Sequence, residues 1–245
     1  MQPNFPTVSV LGVDFTSITN EQFLHQLYAD SQAGRNRVIV TANPEIVLFA
    51  RQNQRYARVL AQADYTVPDG VGIVDGAKIL QQSLPERITG YDTMLSLLAW
   101  ANDHQKRVFL LGAKPAVIQK AVANINHDYP NLQVCGWHDG YFDDEQAVVE
   151  QIKAAEPDFV FCALGFPKQD YFIHQHHQAA TAIWMGVGGS FDVLAGIVKR
   201  APQKWQDRHL EWFYRLLQEP QRFGRMLALP KYLALIIQQR MTGRK

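Results

Sequence analysis

The sequence is poor in the features that mark extracellular and membrane proteins. It has two cysteines, Cys135 and Cys162, among 245 residues. Both lie in apolar, strand-like stretches, so we expect buried free thiols rather than a disulfide or a metal site. The longest apolar run in the tail, residues 232–237, is far shorter than the roughly 20 residues that cross a bilayer. Residues 1–6 have neither a basic nor an apolar region, so we expect no secretory signal and a cytoplasmic chain.

Several motifs of nucleotide and metal chemistry are also missing. No turn has the full GxGxxG pattern with an acidic residue about 20 positions later, which disfavours a nicotinamide dehydrogenase. The absence of GxxxxGK[ST] disfavours a P-loop NTPase. There is no GxSxG, CxxC or HExxH, and no DxD-type acidic cluster at a strand end. We therefore expect no metal and no cofactor, and a bound diphosphate would have to meet Arg, Lys or helix N-termini.

Charge is divided unevenly along the chain. Residues 199–245 contain 11 Lys or Arg and 3 Asp or Glu, a net charge of +8. The whole chain carries +1, so residues 1–198 carry −7. A basic tail on an acidic body predicts an anionic surface or polymer as the partner of the tail.

The order of apolar runs predicts the fold. Short β-branched and aromatic runs alternate with helical patterns, which indicates a Rossmann-like α/β fold with a mostly parallel sheet and helices on both faces. Residues 8–15 alternate around Gly12 and predict a small N-terminal β-hairpin. We divide the chain into an α/β catalytic domain, residues 1–195, and a basic helical appendage, residues 196–245.

The stretch 67–74 stands out among the strand-to-helix turns. It places Asp69 after a short apolar strand and before Gly70, and we expect this turn at the carboxyl edge of the sheet, where ligands bind. Asp69 is also suited to cap a helix that begins near Gly70, so a purely structural role stays open. The other glycine-rich turns have the same two readings, since bare amides bind phosphates and glycines also serve tight turns.

Seven ordered motifs connect these turns to a known family. They are Thr41-Ala42-Asn43-Pro44-Glu45, Pro68-Asp69-Gly70-Val71-Gly72, Arg87-Ile88-Thr89-Gly90-Tyr91-Asp92, Leu111-Gly112-Ala113-Lys114-Pro115, Asp139-Gly140-Tyr141-Phe142, Gly165-Phe166-Pro167-Lys168-Gln169 and Gly186-Val187-Gly188-Gly189-Ser190-Phe191-Asp192. From about Val8 to the tail, the chain resembles the WecG/TagA/CpsF glycosyltransferases, and in particular their TagA branch.

The resemblance implies a reaction. It implies transfer of N-acetylmannosamine from UDP-N-acetylmannosamine to undecaprenyl-diphosphate-linked N-acetylglucosamine, an early step of wall teichoic acid linkage-unit assembly. The family is inverting and metal-independent, in agreement with the missing DxD motif. Two alternatives stay open: the same fold with UDP-N-acetylmannosaminuronic acid or UDP-glucose as donor, and a nucleotide-binding module without catalysis.

The resemblance also implies roles for individual residues. Asp69 becomes the candidate general base, because an inverting transfer needs one carboxylate to take the proton of the acceptor hydroxyl. Thr41 matches a family site residue, and Arg87 matches a position expected to meet a diphosphate. The expected donor contacts are Gln169 and, more weakly, Asn43, Gly112, Gly188, Gly189 and Asp192. For Arg87 the alternative is a solvated loop charge, and Thr41 and Gln169 have structural alternatives as well.

In the tail, Arg208, Arg215 and Arg222 recur every seven residues, with Arg225 three residues further on. Aromatic side chains interleave with them, a combination that suits an anionic bilayer. We expect the tail to dock the enzyme on the inner face of the cell membrane or to bring its arginines to the acceptor diphosphate. The alternative is a helical cap packed on the body. Nothing in the sequence favours nucleic acid, and a homo-oligomer stays open.

Overall fold

The computed structural model of the protein describes residues 5–202, 204–205, 211–218 and 228–243. Six parallel strands form a central sheet in the order β4-β3-β8-β7-β5-β6, and β1 and β2 form a separate antiparallel hairpin. The strands are β1 (Thr7–Val10), β2 (Val13–Thr16), β3 (Arg37–Ala42), β4 (Tyr65–Pro68), β5 (Arg107–Gly112), β6 (Gln133–His138), β7 (Phe159–Ala163) and β8 (Ile183–Gly186). The predicted parallel sheet and N-terminal hairpin are confirmed.

Helices cover both faces of the sheet, also as predicted. They are α1 (Asn20–Gln32), α2 (Pro44–Gln52), α3 (Gln54–Gln62), α4 (Val71–Ile79), α5 (Gly90–Asp103), α6 (Pro115–Asp128), α7 (Glu145–Ala155), α8 (Lys168–His176), α9 (Ser190–Leu194), α10 (Glu211–Gln218) and α11 (Ala228–Thr242). Local chemistry sets where they begin. At α1, Thr19 and Gln22 form a reciprocal capping box. At α2, Asn43 caps the helix and Pro44 takes its first position.

Neighbouring residues of a strand face different helix layers. On β5, Leu110 packs in an apolar cluster with residues of α1, α5 and α6. The next residue, Leu111, packs with residues of α7 and α8. Strands buried on both faces need apolar side chains at every position, which explains the continuous apolar runs in the sequence.

The topology opens a crevice at the carboxyl edge of the sheet. Strands β3 and β8 are parallel neighbours. The helices that follow them lie in different apolar clusters, because Ile46 of α2 belongs to one and Phe191 of α9 to another. Ligands bind in α/β sheets where adjacent strands send their helices to opposite faces. The ligand-binding position expected for this fold, called the cleft below, therefore lies between the end of β3 and the end of β8.

The helix α11 packs on α2 and α4, the two helices that leave the turns after β3 and β4. Its Tyr232 and Ile236 are buried in the same apolar cluster as Ile46 and Ile73. Gly76 of α4 faces Tyr232, and a Cβ atom at this glycine would overlap the tyrosine hydroxyl. The C-terminal helix thus supports the elements that carry the Thr41 and Asp69 turns.

Candidate active site

Thr41 and Asp69 lie at the ends of two adjacent strands. Thr41 belongs to β3, and Asp69 directly follows β4. Thr41 lies opposite Val67, and Ala42 lies opposite Pro68. The amide of Asp69 then donates to the carbonyl oxygen of Ala42 at 2.9 Å. This hydrogen bond extends the strand pairing by one residue and fixes the backbone of Asp69 at the mouth of the cleft.

The alternative in which Asp69 is the N-cap residue of α4 is wrong. The N-cap of α4 is Gly70, which makes no side-chain capping hydrogen bond. Gly70 has φ +112°, a value that residues with a Cβ rarely adopt. The sharp turn at Gly70 therefore starts the helix one residue later than a cap at Asp69 would.

The loop between α4 and α5 returns to the same turn. The amide of Ile88 donates to the carbonyl oxygen of Pro68 at 2.9 Å, which places the backbone next to Arg87 beside the Asp69 turn. The first residue of α5, Gly90, lies against Thr41, whose Oγ1 is 2.9 Å from the position of a Cβ at this glycine. The structure thus gathers Thr41, Asp69 and the loop of Arg87 at one end of the cleft.

The guanidinium of Arg87 meets a carboxylate of the tail. Its Nη2 lies 2.5 Å from Oε2 of Glu211, the first residue of α10. A second ion pair joins Arg200 to Asp92 on α5 at 2.6 Å, and the Arg200 guanidinium also stacks over the Tyr91 ring at 5.0 Å. Arg87 is therefore not a solvated loop charge, and the tail crosses the segment that carries it.

The residues expected to bind the donor lie along the same edge of the sheet, but two of their side chains already make hydrogen bonds within the protein. Oδ1 of Asn43 accepts the amide of Ile46 at 3.0 Å and caps α2. Oε1 of Gln169 accepts the amide of Gly188 at 3.1 Å. Gln169 is buried, 7% exposed, against Gly186. Its side chain therefore braces the turn after β8, and the amide of Gly188 is engaged within the protein.

The remaining predicted glycines shape the edge. Gly188 has φ +53°, and Gly189 is the N-cap residue of α9. Asp192 lies in the first turn of α9 and is half-buried. Gly112 has φ +123°, and a Cβ there would overlap the backbone of Ala163 on β7.

Sheet order sets the distances along this edge. Gly112 ends β5, four strands away from β4, which corresponds to about 19 Å at the usual strand spacing. It therefore lies on the far side of the cleft from Asp69, with the turns after β3, β8 and β7 between them.

Beneath the turn after β8 lies a buried acid that the sequence did not reveal. Asp170 is 3% exposed and accepts a hydrogen bond from the Tyr56 hydroxyl at 2.8 Å. Burial raises its pKa to about 6, against the lowering effect of the hydrogen bonds from Tyr56 and Gln169. A charged residue right after Lys168-Gln169 was the available signal, but its burial depends on Tyr56, far away in the chain.

The structure describes little of the tail arginines. Arg208, Arg222 and Arg225 lie outside the described residues, and of Arg215 only the position within α10 is described. Among the described residues, no helix is long and apolar enough to cross a membrane. In the same part of the chain, no group of three or more His, Cys, Asp or Glu side chains is arranged to hold a metal ion.

Comparison of the sequence with known proteins identifies a family. The sequence profile of the glycosyl transferase WecG/TagA/CpsF family matches residues 8–245. The chain is 43% identical over 243 residues to an N-acetylglucosaminyldiphosphoundecaprenol N-acetyl-beta-D-mannosaminyltransferase of Bacillus spizizenii, covering 98% of this chain and 94% of the relative. A protein of the same name from Bacillus subtilis is 44% identical over 89% of this chain and 84% of its own length. The Staphylococcus aureus protein of that name is 38% identical, covering 99% of this chain and 96% of its own.

A profile match over nearly the whole chain and identities near 40% across full-length relatives leave no ambiguity about descent. The resemblance carried by the seven motifs is confirmed. The chain belongs to the WecG/TagA/CpsF family of glycosyltransferases.

Proposed function

We propose that this protein transfers N-acetylmannosamine from UDP-N-acetylmannosamine to undecaprenyl-diphosphate-linked N-acetylglucosamine, in wall teichoic acid linkage-unit synthesis. The observation that carries the proposal is the match to relatives named for this transfer, at 43% identity over 98% of the chain. The cleft between β3 and β8 supports it, because such a crevice suits a nucleotide.

In the proposed mechanism Asp69 is the general base. Its carboxylate takes the proton of the acceptor hydroxyl while the hydroxyl oxygen attacks the anomeric carbon. The bond from that carbon to the diphosphate oxygen breaks, UDP leaves with the bonding electrons, and the sugar configuration inverts. One observation supports this role: the hydrogen bond from the Asp69 amide to Ala42 fixes the backbone of Asp69 at the cleft mouth.

Thr41 and Arg87 complete the proposed catalytic group. Arg87 would meet a substrate diphosphate, for which its planar fork of N–H donors is suited. Thr41 would contact the acceptor or donor sugar from the adjacent strand. The loop hydrogen bond from Ile88 to Pro68 supports a shared site, because it holds the Arg87 segment beside the Asp69 turn.

We assign the donor to the middle and far part of the edge. The proposed contacts are Asn43, Gly112, Gln169, Gly188, Gly189 and Asp192. Since the side chains of Asn43 and Gln169 hold local structure, we expect them to shape the pocket through the turns they stabilise as much as through direct contact. We propose that the charge of the diphosphate is met by protein donors without a metal ion.

The tail is proposed to bring the enzyme to its lipid acceptor. Residues 196–245 would form a membrane-docking appendage of a catalytic domain, residues 1–195, on the inner face of the cell membrane. Arg208, Arg215, Arg222 and Arg225 would meet anionic lipid or the acceptor diphosphate. The outward side of α11 supports docking, because Leu233, Ile237 and Met241 are exposed at intervals of four residues.

A donor panel tests the proposal. The protein is incubated with a short-chain lipid diphosphate carrying N-acetylglucosamine and with UDP-N-acetylmannosamine, UDP-N-acetylmannosaminuronic acid or UDP-glucose, one at a time. We expect a disaccharide product, detected by mass, only with UDP-N-acetylmannosamine. Product only with the uronate or glucose donor would replace the proposed donor. Binding of UDP without any product would favour a non-catalytic module.

A further inference from the structure

Glu211 is the one acidic residue of α10, and its carboxylate lies on the guanidinium of Arg87 at 2.5 Å. Both side chains are mostly covered, with 19% of Arg87 and 22% of Glu211 exposed. We propose that Glu211 is a positioning residue for Arg87. Its carboxylate binds the guanidinium while no substrate diphosphate is present, and it releases the guanidinium when the diphosphate binds. The inference rests on the proposed function in one respect, the use of Arg87 as a diphosphate ligand.

The chemistry of the two anions supports exchange at this site. A guanidinium recognises carboxylate and phosphate oxygens with the same planar set of N–H donors. The carboxylate at Nη2 therefore occupies a direction from which a phosphate oxygen would be bound. A diphosphate carries more charge than one carboxylate and offers several acceptor oxygens, so it is the stronger partner for the same donors.

The backbone around Arg87 is fixed, so only the side chains of the ion pair have to move when Arg87 changes its partner. The backbone beside Arg87 is fixed by the hydrogen bond from Ile88 to Pro68 at 2.9 Å. Displacement of Glu211 therefore does not require the loop to move away from the Asp69 turn.

The start of the tail has its own attachment. Arg200 is bound to Asp92 at 2.6 Å and stacks over the Tyr91 ring, and Ala201 is buried. Loss of the Arg87–Glu211 pair thus leaves the preceding segment in place, and α10 keeps the ring contacts of Phe213 and Tyr214 with Trp205. Because two partners compete for one guanidinium, diphosphate binding must weaken the attachment of α10 through Glu211, and this attachment must weaken diphosphate binding to the same degree.

The first experiment measures the affinity for inorganic pyrophosphate and for UDP by calorimetry at constant ionic strength. Glu211→Gln is expected to bind both about twofold to fivefold more tightly, the upper part of the range for loss of a partly exposed ion pair. Arg87→Gln is expected to bind them more weakly, and adding Glu211→Gln to that variant is expected to change nothing further.

Glu86→Gln is the matched control for charge. Glu86 precedes Arg87, and its carboxylate accepts the Asn20 amide at 2.8 Å without touching the guanidinium. Glu86→Gln also removes one negative charge near Arg87, from the loop that carries Arg87, and we expect little gain in affinity for pyrophosphate or UDP. Equal gains in Glu86→Gln and Glu211→Gln, or no gain in Glu211→Gln, would overturn the proposal.

The second experiment follows α10 directly in the wild-type protein. Saturating pyrophosphate is expected to speed hydrogen exchange of amides in residues 211–218 and to leave the exchange of α11 unchanged. Unchanged or slower exchange in α10 would overturn the proposal. Neither readout needs sugar transfer, so a failure of the proposed activity with intact competition, or the reverse, separates the two ideas.

Discussion

At the scale of single residues, the proposed chemistry depends on the side chain of Asp69. We predict that Asp69→Asn lowers kcat by about 10²-fold to 10⁴-fold, because an amide of the same shape cannot take the acceptor proton. UDP affinity should change little, since asparagine has the same shape and the substitution keeps the glycine at which α4 begins. Steady-state kinetics and calorimetry with UDP measure the two effects.

Asp75→Asn is the control for that variant. Asp75 belongs to α4, the helix that follows Asp69, and its side chain is 55% exposed with Lys78 at 3.6 Å. We expect wild-type turnover from it. Equal turnover in Asp69→Asn and Asp75→Asn would remove Asp69 as the base.

A second residue-scale prediction concerns Asp170, whose pKa burial raises from 3.8 to about 6. Between these values the folded chain keeps the proton that the unfolded chain has lost. The stabilising contribution is therefore complete below about pH 4 and is lost as the pH rises through about 6.

We predict that Asp170→Asn removes this pH dependence. The unfolding free energy of the wild type should fall between pH 4 and pH 7, relative to the variant, by roughly 2 kcal/mol. An asparagine can still accept the hydrogen bond from Tyr56, so the comparison isolates the charge. Urea unfolding of both proteins across this range gives the two curves, and parallel curves would contradict the assigned ionisation.

At the scale of elements, the contact between α4 and α11 depends on a missing side chain. Gly76→Ala would force a methyl group against the Tyr232 hydroxyl, and overpacking of this kind costs about 1–3 kcal/mol. The hydroxyl is buried with no hydrogen-bond partner among the residues that the structure describes. Tyr232→Phe should therefore preserve or raise stability.

The double variant is the sharper test of that packing. Tyr232→Phe removes the atom nearest to the new methyl group, so it should restore part of the stability that Gly76→Ala loses. Urea unfolding of the four proteins gives the coupling energy. Strictly additive effects would mean that the two residues do not meet as described.

The elements themselves were largely predictable from the sequence, since their signals are local. Asn43 and Pro44 mark the start of α2 because a cap and a fixed φ act within one turn. The position of α4 was predicted as well, but not its cap, because the φ of Gly70 decides between two adjacent candidates.

Long-range pairs were not predictable in the same way. Arg87 and Glu211 are 124 positions apart, and Tyr56 and Asp170 are 114 apart. No local pattern in the sequence encodes which distant side chain completes such a pair. The sequence therefore predicts which turns lie at the carboxyl edge of the sheet. The partners of their side chains are known only once the structure shows how distant segments pack.

At the scale of the whole molecule, the uneven charge predicts membrane behaviour. Replacement of Arg215, Arg222 and Arg225 with Glu should weaken co-sedimentation with vesicles rich in anionic lipid. Each Arg near such a surface contributes about 1 kcal/mol, so affinity should fall by about 100-fold or more.

The control moves the same charge on the body. Arg58, Lys120 and Lys153 are exposed basic residues outside the tail, and their replacement with Glu should leave most of the binding. Equal losses from the two triple variants would point to overall charge, and unchanged sedimentation of the tail variant would remove the docking role.

The intact protein is proposed to carry out one reaction, an inverting transfer of N-acetylmannosamine to a lipid diphosphate acceptor. The most direct measurement is the anomeric configuration of the product made from UDP-N-acetylmannosamine and the N-acetylglucosamine-diphosphate lipid, read by NMR. A single in-line displacement at the Asp69 turn predicts a β-linked disaccharide and release of UDP in equal amount. An α-linked product, or UDP release without a disaccharide, would contradict the account.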